Sequence, residues 1–422
     1  MKLKFTALSE LSPNAKLLIA TSGMLSVSFL GIQMLLKVLY MLRLDFATEY
    51  IGWFLAASSL AYMTMGLPSG ALGARFGQRR TMIVGGLLSA LGTAILPLCE
   101  SMPTGLRAAC PILSQVAVTA GWSMFSVNMV PTLTAMASEE NRVRALSLNA
   151  VLQGAGTFLG TLVGGLLPGL FAGLLGQSLD APGPYRYALW VSAVISGLSM
   201  LPLLLSREIG TVATRSRQKR RSPFPLLPIA TIFAYVYVRH AGWATGRAFW
   251  NAYMDTELRL SAASIGLIAS AGQALAILAP LVNPRLAARR SNGWVAMVAT
   301  LGVALSLVPL ALIQHWAAAG LSQLIYAVVS SIWLPALQAF QMERIDPEWR
   351  SIGYGAVAMA MGSGFSSTSI AGGYIVAATG YRALFALGIA LSLAATAIMW
   401  GILRHASRAS ARDPAAAPEP TS

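Results

Sequence analysis

The sequence predicts an all-α integral membrane protein of twelve transmembrane helices, in two six-helix pseudo-repeats with both termini cytoplasmic. Three observations carry that prediction: scarce charge, recurring long apolar runs, and a one-sided distribution of basic residues. Of the 422 residues, 56% are hydrophobic and only 11% charged, where a soluble chain of this length carries about 25% charged residues. So few charges cannot build a water-facing surface, and lipid must cover most of the outside. The apolar runs supply the spans. They fall at 17–42, 49–73, 81–98, 108–136, 146–172 and 186–206 in the first half. In the second half they fall at 226–250, 262–286, 293–313, 317–341, 351–377 and 383–403. Each can cross ~30 Å of hydrocarbon as a helix, and none has the short alternating pattern of an outer-membrane barrel. Pro68, Pro131, Pro202, Pro280 and Pro335 are tolerated where neighbouring helices satisfy the freed backbone groups. The first run is too long for the core of a cleavable signal.

The net charge of +15 would in a soluble protein point to nucleic acid, but its placement excludes that partner. With the N-terminus inside, 22 of the 30 Lys and Arg residues fall on one side, in clusters such as Arg75, Arg79 and Arg80. That is the positive-inside pattern of a multi-pass protein, here expected in a bacterial-type inner membrane and in contact with its lipids. The chain divides into a bundle over 1–206, a basic cytoplasmic linker over 207–225, a second bundle over 226–405, and a disordered tail over 406–422. Cys99 and Cys110 are too few for a disulfide framework or a cysteine metal site. A single bond across the loop between them is open, with two small apolar side chains at helix ends the favoured reading.

The halves echo each other. Arg142, Gly154, Gly156, Gly164 and Gly165 recur as Arg350, Gly362, Gly364, Gly372 and Gly373 at one offset of 208. Ile51, Gly52, Leu72 and Arg75 recur as Ile265, Gly266, Leu286 and Arg289 at an offset of 214. Tyr185-Arg186 likewise mirrors Tyr381-Arg382. Two parallel repeats joined by a cytoplasmic linker make an alternating-access architecture.

This layout resembles the major facilitator superfamily over nearly the whole chain. The loop Gly70-Ala-Leu-Gly-Ala-Arg75-Phe-Gly77-Gln-Arg79-Arg80 is similar to the family's G-x-x-x-D-R-x-G-R-R signature, with Ala74 where the family usually has Asp. The resemblance implies a cytoplasmic gate formed by Gly70, Arg75, Gly77, Arg79 and Arg80, without the usual carboxylate. Gly156, Gly160, Gly164 and Gly165 resemble the glycine motif of the antiporter branch, with Thr161 replacing its proline. Close helix packing alone also accounts for these glycines. Ala117 stands where drug:proton exporters carry Arg, so the antiporter likeness is partial.

Ionisable residues inside a membrane are functional candidates. The carboxylates fall at span ends, in loops or in the tail. The seventh span instead holds Arg239, His240 and Arg247, with Asn251 beyond. His240 and Arg247 differ by about 20° around a helix, so they share a face with Asn251, near Trp243. Arg239 is expected to snorkel or to bond a carbonyl. Weaker polar stripes run through the first span (Gln33, Lys37), the fourth (Gln115, Thr119, Trp122) and the tenth (Tyr326, Trp333, with Gln338 and Gln341 further on). The resemblance places the first, fourth, seventh and tenth helices around a central cavity.

The expected function is secondary transport of a small polar solute, anionic or zwitterionic, driven by protons and tending toward efflux. Gln33, Lys37, Arg247 and Asn251 would bind it, with Arg239 a further attracting charge. Trp122, Trp243, Tyr326 and Trp333 would stack on it, and His240, which titrates near neutral pH in its unperturbed form, would carry the proton. Alternatives are a proton-coupled uptake permease for a siderophore, peptide fragment or organic acid, and a transporter-like sensor. The chain is expected to work as a monomer, with no metal or other cofactor. No Walker-type loop supports ATP drive, and one mid-span histidine without a carboxylate does not make an enzyme.

Overall fold

The computed structural model describes residues 11–136, 141–206, 223–346 and 349–412, which are almost wholly helical, with no strand among them. In the first half, α1 is Pro13–Arg43, α2 Thr48–Phe76, α3 Gln78–Ile95, α4 Ala109–Met136, α5 Arg142–Leu175 and α6 Pro182–Leu205. In the second, α7 is Leu226–Thr256, α8 Ala262–Leu278, α9 Asn292–Leu312, α10 Trp316–Arg344, α11 Arg350–Thr379 and α12 Tyr381–Arg412. Among the described residues, 9 helices are long and apolar enough to cross a membrane. The remaining three, α2, α7 and α11, have 29, 31 and 30 residues, so each reaches ~45 Å at 1.5 Å per residue. They fall short in hydropathy rather than length. α7 carries Arg239, His240 and Arg247, and α11 is rich in Ser and Gly. α2 packs on α11, and α7 on α11 and α12, so much of their surface faces protein and tolerates polar groups.

Two boundaries differ from the expected ones. Pro280 lies in a 3-10 turn, Ala279–Val282, followed by a short helix Asn283–Arg289. Proline has no N–H to continue the α-helical ladder, so the span drawn over 262–286 is interrupted there. The last helix extends to Arg412, so the stretch expected as a disordered tail begins inside a helix. Residues 207–222 of the basic linker and 413–422 of the tail lie outside the described residues, as do Lys2 and Lys4.

Within the first half α4 packs on α2 and α3, and α5 on α1 and α6. The second half repeats this, with α9 against α10 and α12, α7 against α11 and α12, and α8 against α10. Across the halves, the extensive contacts are α2 on α11 and α5 on α8. Both crossings rest on glycines that the repeat singled out. A Cβ on Gly52 would run into the carbonyl of Ser369, and one on Gly266 would meet the carbonyl of Thr161 and the Cα of Gly165. The offsets of 214 and 208 that relate Gly52 to Gly266 and Thr161 to Ser369 make these one contact used twice. Gly373 completes the pattern against Thr48 and Glu49.

Gly156, Gly160 and Gly164 have a different neighbour. They press against Gly23, Val27 and Ile32 of α1, where Gly31 in turn meets the backbone of Gly160. Along this seam Ser26–Gln33 is wound as a π-helix, and Ser28 donates to the Ser192 carbonyl of α6 at 2.7 Å. Such a wide turn re-aims side chains and is common near functional sites. Packing therefore accounts for these three glycines, while Gly165 faces α8 of the other half.

Replacing Gly160 with Val should push α1 and α5 apart and destabilise the protein by ~1–3 kcal/mol. Gly169→Val, at a position with no neighbour within 4 Å, should change thermal stability little. Equal melting temperatures for the two purified variants would refute the close-packed seam.

Candidate functional site

Two adjoining chambers of about 300 and about 500 Å³ lie between the halves. Leu30 and Met34 of α1 and Trp243, Arg247 and Asn251 of α7 line both. The smaller is completed by α8 and α10, through Gln273, Gln323, Tyr326 and Ser330. The larger is completed by α2, α4, α10 and α11, holds Lys37, Trp122 and His240, and reaches Gln341 and Tyr354. His240 and Arg247 do share a face, as their spacing predicts.

Lys37 and Arg247 look into the larger chamber from opposite halves. Nζ of Lys37 donates to Oε1 of Gln115 at 3.2 Å. Nε2 of Gln115 donates in turn to the hydroxyls of Ser58 and Thr119 at 3.1 and 3.2 Å. This chain of neutral groups orients Lys37. The Arg247 guanidinium has no hydrogen-bond or ion-pair partner among the described residues, and no carboxylate lines either chamber. A charge that leaves water without a partner is costly, so an anion entering this chamber would find its counter-charge at these two side chains.

The aromatic residues hold that wall in place. Nε1 of Trp243 donates to Ser330 Oγ at 3.0 Å, and the Tyr326 hydroxyl donates to the Trp243 carbonyl at 2.7 Å. The two rings stack at 6.0 Å. Trp122 faces the larger chamber beside Phe29, 5.2 Å away. His240 sits 5.3 Å from Trp243 and 5.1 Å from Trp333, with Nδ1 unpartnered.

Two expected binding residues stand behind the wall rather than in it. Trp333 lines neither chamber and donates to the Tyr235 hydroxyl at 2.8 Å. Gln33 is fully buried in the π-turn and likewise lines neither. Arg239 does not snorkel or bond a carbonyl, because it is buried with its charge 3.8 Å over the Trp333 ring. That cation–π contact replaces the expected partner, and Nε and Nη2 remain without one.

One end of the cavity is sealed by contacts between the halves. Arg43, at the end of α1, forms a two-pronged ion pair with Asp255 near the end of α7, both distances being 2.7 Å. It also donates to the Leu179 carbonyl at 2.9 Å and the Tyr185 hydroxyl at 3.3 Å. One turn back, Asn251 donates to the carbonyls of Met34 and Leu35 at 3.3 and 3.4 Å. Thr48 donates to the Gly373 carbonyl at 3.2 Å. Toward the other end, the last cross-half hydrogen bond among the described residues is Ser59 to the Gly362 carbonyl at 3.1 Å. From Gly362 to the start of α11 at Arg350, ~18 Å of helix makes no such bond to the first half.

Sequence reasoning missed Arg43 and Asp255 because both fell just outside the spans as drawn. The usable signal is the spacing Arg247, Asn251, Asp255, one helical stripe at steps of four. A second correction concerns Cys99 and Cys110, which form a disulfide at this same sealed end. The loop between α3 and α4 brings their Cα atoms to 5.7 Å, within bonding range. Nearby, Arg186 pairs with Glu100 at 3.1 Å.

The expected gate loop lies at the opposite end. Gly77, with φ 97°, makes the turn that L-residues disfavour. Arg79 donates to Ser206 Oγ at 3.2 Å and the Leu204 carbonyl at 2.8 Å, at the end of α6. Arg75 lies 5.2 Å over Phe76. Gly70 abuts Val127 of α4, and Arg80 follows on the first turn of α3.

A family model described as Major Facilitator Superfamily matches residues 18–254 and 233–422. The fold is similar to that of the nucleoside transporter NupG, at 16% identity and a TM-score of 0.71, covering 92% of this chain and 99% of that one. A D-xylose-proton symporter is similar at 16% identity and TM-score 0.71, covering 92% and 97%. A POT family transporter in complex with a thioalcohol-conjugated peptide gives 14% identity and TM-score 0.72, covering 93% and 96%. No curated protein matches the sequence.

Removing one partner of the buried Arg43–Asp255 pair leaves an uncompensated charge, with an expected loss of ~3–5 kcal/mol for Arg43→Ala or Asp255→Ala. The double charge swap, Arg43→Asp with Asp255→Arg, should recover part of that loss. Thermal unfolding of the purified variants measures both, and a swap no better than the single changes would argue against direct pairing.

Proposed function

We infer the function from one premise: the chain belongs to the major facilitator superfamily, making it a multi-pass membrane transporter rather than an enzyme. From that premise we propose that it moves a small organic anion by alternating access, with Arg247 as the anchor for the anionic group. The observation that carries this reading is a pair of cations, Lys37 and Arg247, facing one chamber from opposite halves with no carboxylate in its lining. An anion between them bridges the halves, so occupancy and closure are coupled. Trp122, Trp243, Tyr326 and Asn251 complete the binding surface, with Gln33 and Trp333 supporting it from behind. Protons drive the cycle through His240, which lines the same chamber.

The proposed topology has twelve spans, the nine apolar helices together with α2, α7 and α11, in bundles over 1–206 and 226–405. Both termini are cytoplasmic in a bacterial-type inner membrane, and the protein works as a monomer among lipids. Two independent features support this orientation. The basic clusters lie at helix ends on the side of Arg75, Arg289 and Arg350. The disulfide lies at the opposite end, and disulfides persist on the oxidising side of a membrane. The sealed end then faces outward, the cavity faces the cytoplasm, and the loop of Gly70 to Arg80 is the cytoplasmic gate. The glycine motif that pointed toward efflux is accounted for by packing against α1. The functional reading therefore rests on charge and shape.

Anionic metabolites in cells and medium, compared with and without the protein, should differ in one acidic solute. Arg247→Gln should reproduce the deletion pattern, with transport reduced at least about tenfold. In proteoliposomes His240→Gln should abolish uphill transport driven by a pH gradient while sparing solute exchange. A neutral or cationic solute whose transport survives Arg247→Gln would sink the reading.

A further inference from the structure

The two chambers differ in chemistry as well as volume. The smaller, about 300 Å³, is lined by hydrogen-bonding groups from both sides of Arg247, among them Gln273, Gln323, Ser330 and Asn251. The half-buried Gln273 and Gln323 amides have no hydrogen-bond partner within the described protein, and a solute that takes them out of water must supply one. The larger, about 500 Å³, is walled chiefly by apolar side chains from both halves, including Phe29, Leu55, Leu337, Val357 and Phe365. Arg247 lies on the boundary and lines both.

We propose that the substrate is an amphipathic organic anion. Its amide- or hydroxyl-bearing head fills the smaller chamber, its negative group sits between Arg247 and Lys37, and its apolar portion runs along the remaining, apolar walls of the larger chamber. A purely hydrophilic anion would satisfy Arg247 and the amides but leave the apolar walls in water. A purely apolar solute would leave the guanidinium and the amides unpaired. Only a molecule with all three parts in this order satisfies both chambers, because apolar surface gains by leaving water while buried polar groups need partners. This inference rests on the anion reading above.

The test is binding of defined probes to the full chain in lipid nanodiscs, read by tryptophan fluorescence after subtraction of empty discs. N-octanoylglutamine should bind about tenfold or more tightly than N-acetylglutamine. Ala358→Phe, which narrows the larger chamber, should remove that advantage while leaving N-acetylglutamine binding within about twofold. Ala276→Phe, in the smaller chamber, should weaken both probes. Equal affinity for the two acyl lengths, with binding lost in Arg247→Gln, would overturn the amphipathic inference and leave the anion reading standing. Equal binding of the neutral N-octanoylglutaminamide, unaffected by Arg247→Gln, would overturn both.

Discussion

Everything in this molecule depends on two places where backbones of opposite halves touch. At the α2–α11 and α5–α8 crossings, Gly52 and Gly266 leave no room for a side chain. Lipid offers little hydrophobic drive for helices to associate, so close packing through small residues takes its place. The repeat sets the same small residue at the same depth in each half, which makes the crossings equivalent. A seam centred on glycines can rock, because its closest contacts are between backbones. The chambers exist because the halves meet tightly here and diverge beyond Gly362.

Charge then separates structure from function. Four cations lie near the interface, and the way each is accommodated ranks its role. Arg43 has a carboxylate, a hydroxyl and a carbonyl, so it is a clasp. Arg239 has an indole face and serves the wall. Lys37 has one amide oxygen, which positions it. Arg247 has no partner among the described residues. A half-buried guanidinium without a protein partner is the observation from which the proposal of an anionic solute starts.

The architecture was legible in the sequence because lipid imposes long apolar runs and side-specific arginines, and the repeat left matched glycines. The stripe of His240, Trp243, Arg247 and Asn251 was legible because a helix brings every third and fourth residue to one face. Residues whose role depends on neighbours were not legible. Trp333 and Gln33 have the right spacing, but other groups stand between them and the cavity. Arg239 looked like a snorkelling residue because no periodicity reveals an indole from another helix. Arg43 and Asp255 are 212 residues apart and only three-dimensional closure unites them. The same holds for the disulfide, since the fold of the loop between α3 and α4 decides whether two cysteines meet.

In the proposed cycle, closure at the Asp255 end and opening at the Arg350 end are two faces of one rocking motion. Spin-label distances across both ends test it directly. One pair, Asp180→Cys with Arg259→Cys, spans the sealed end, and Phe76→Cys with Glu343→Cys spans the open end. Releasing the clasp with Asp255→Asn should populate a longer distance in the first pair and a shorter one in the second, in matching fractions. Lengthening at the sealed end with no change at the open end would mean local fraying, and would contradict alternating access in this protein.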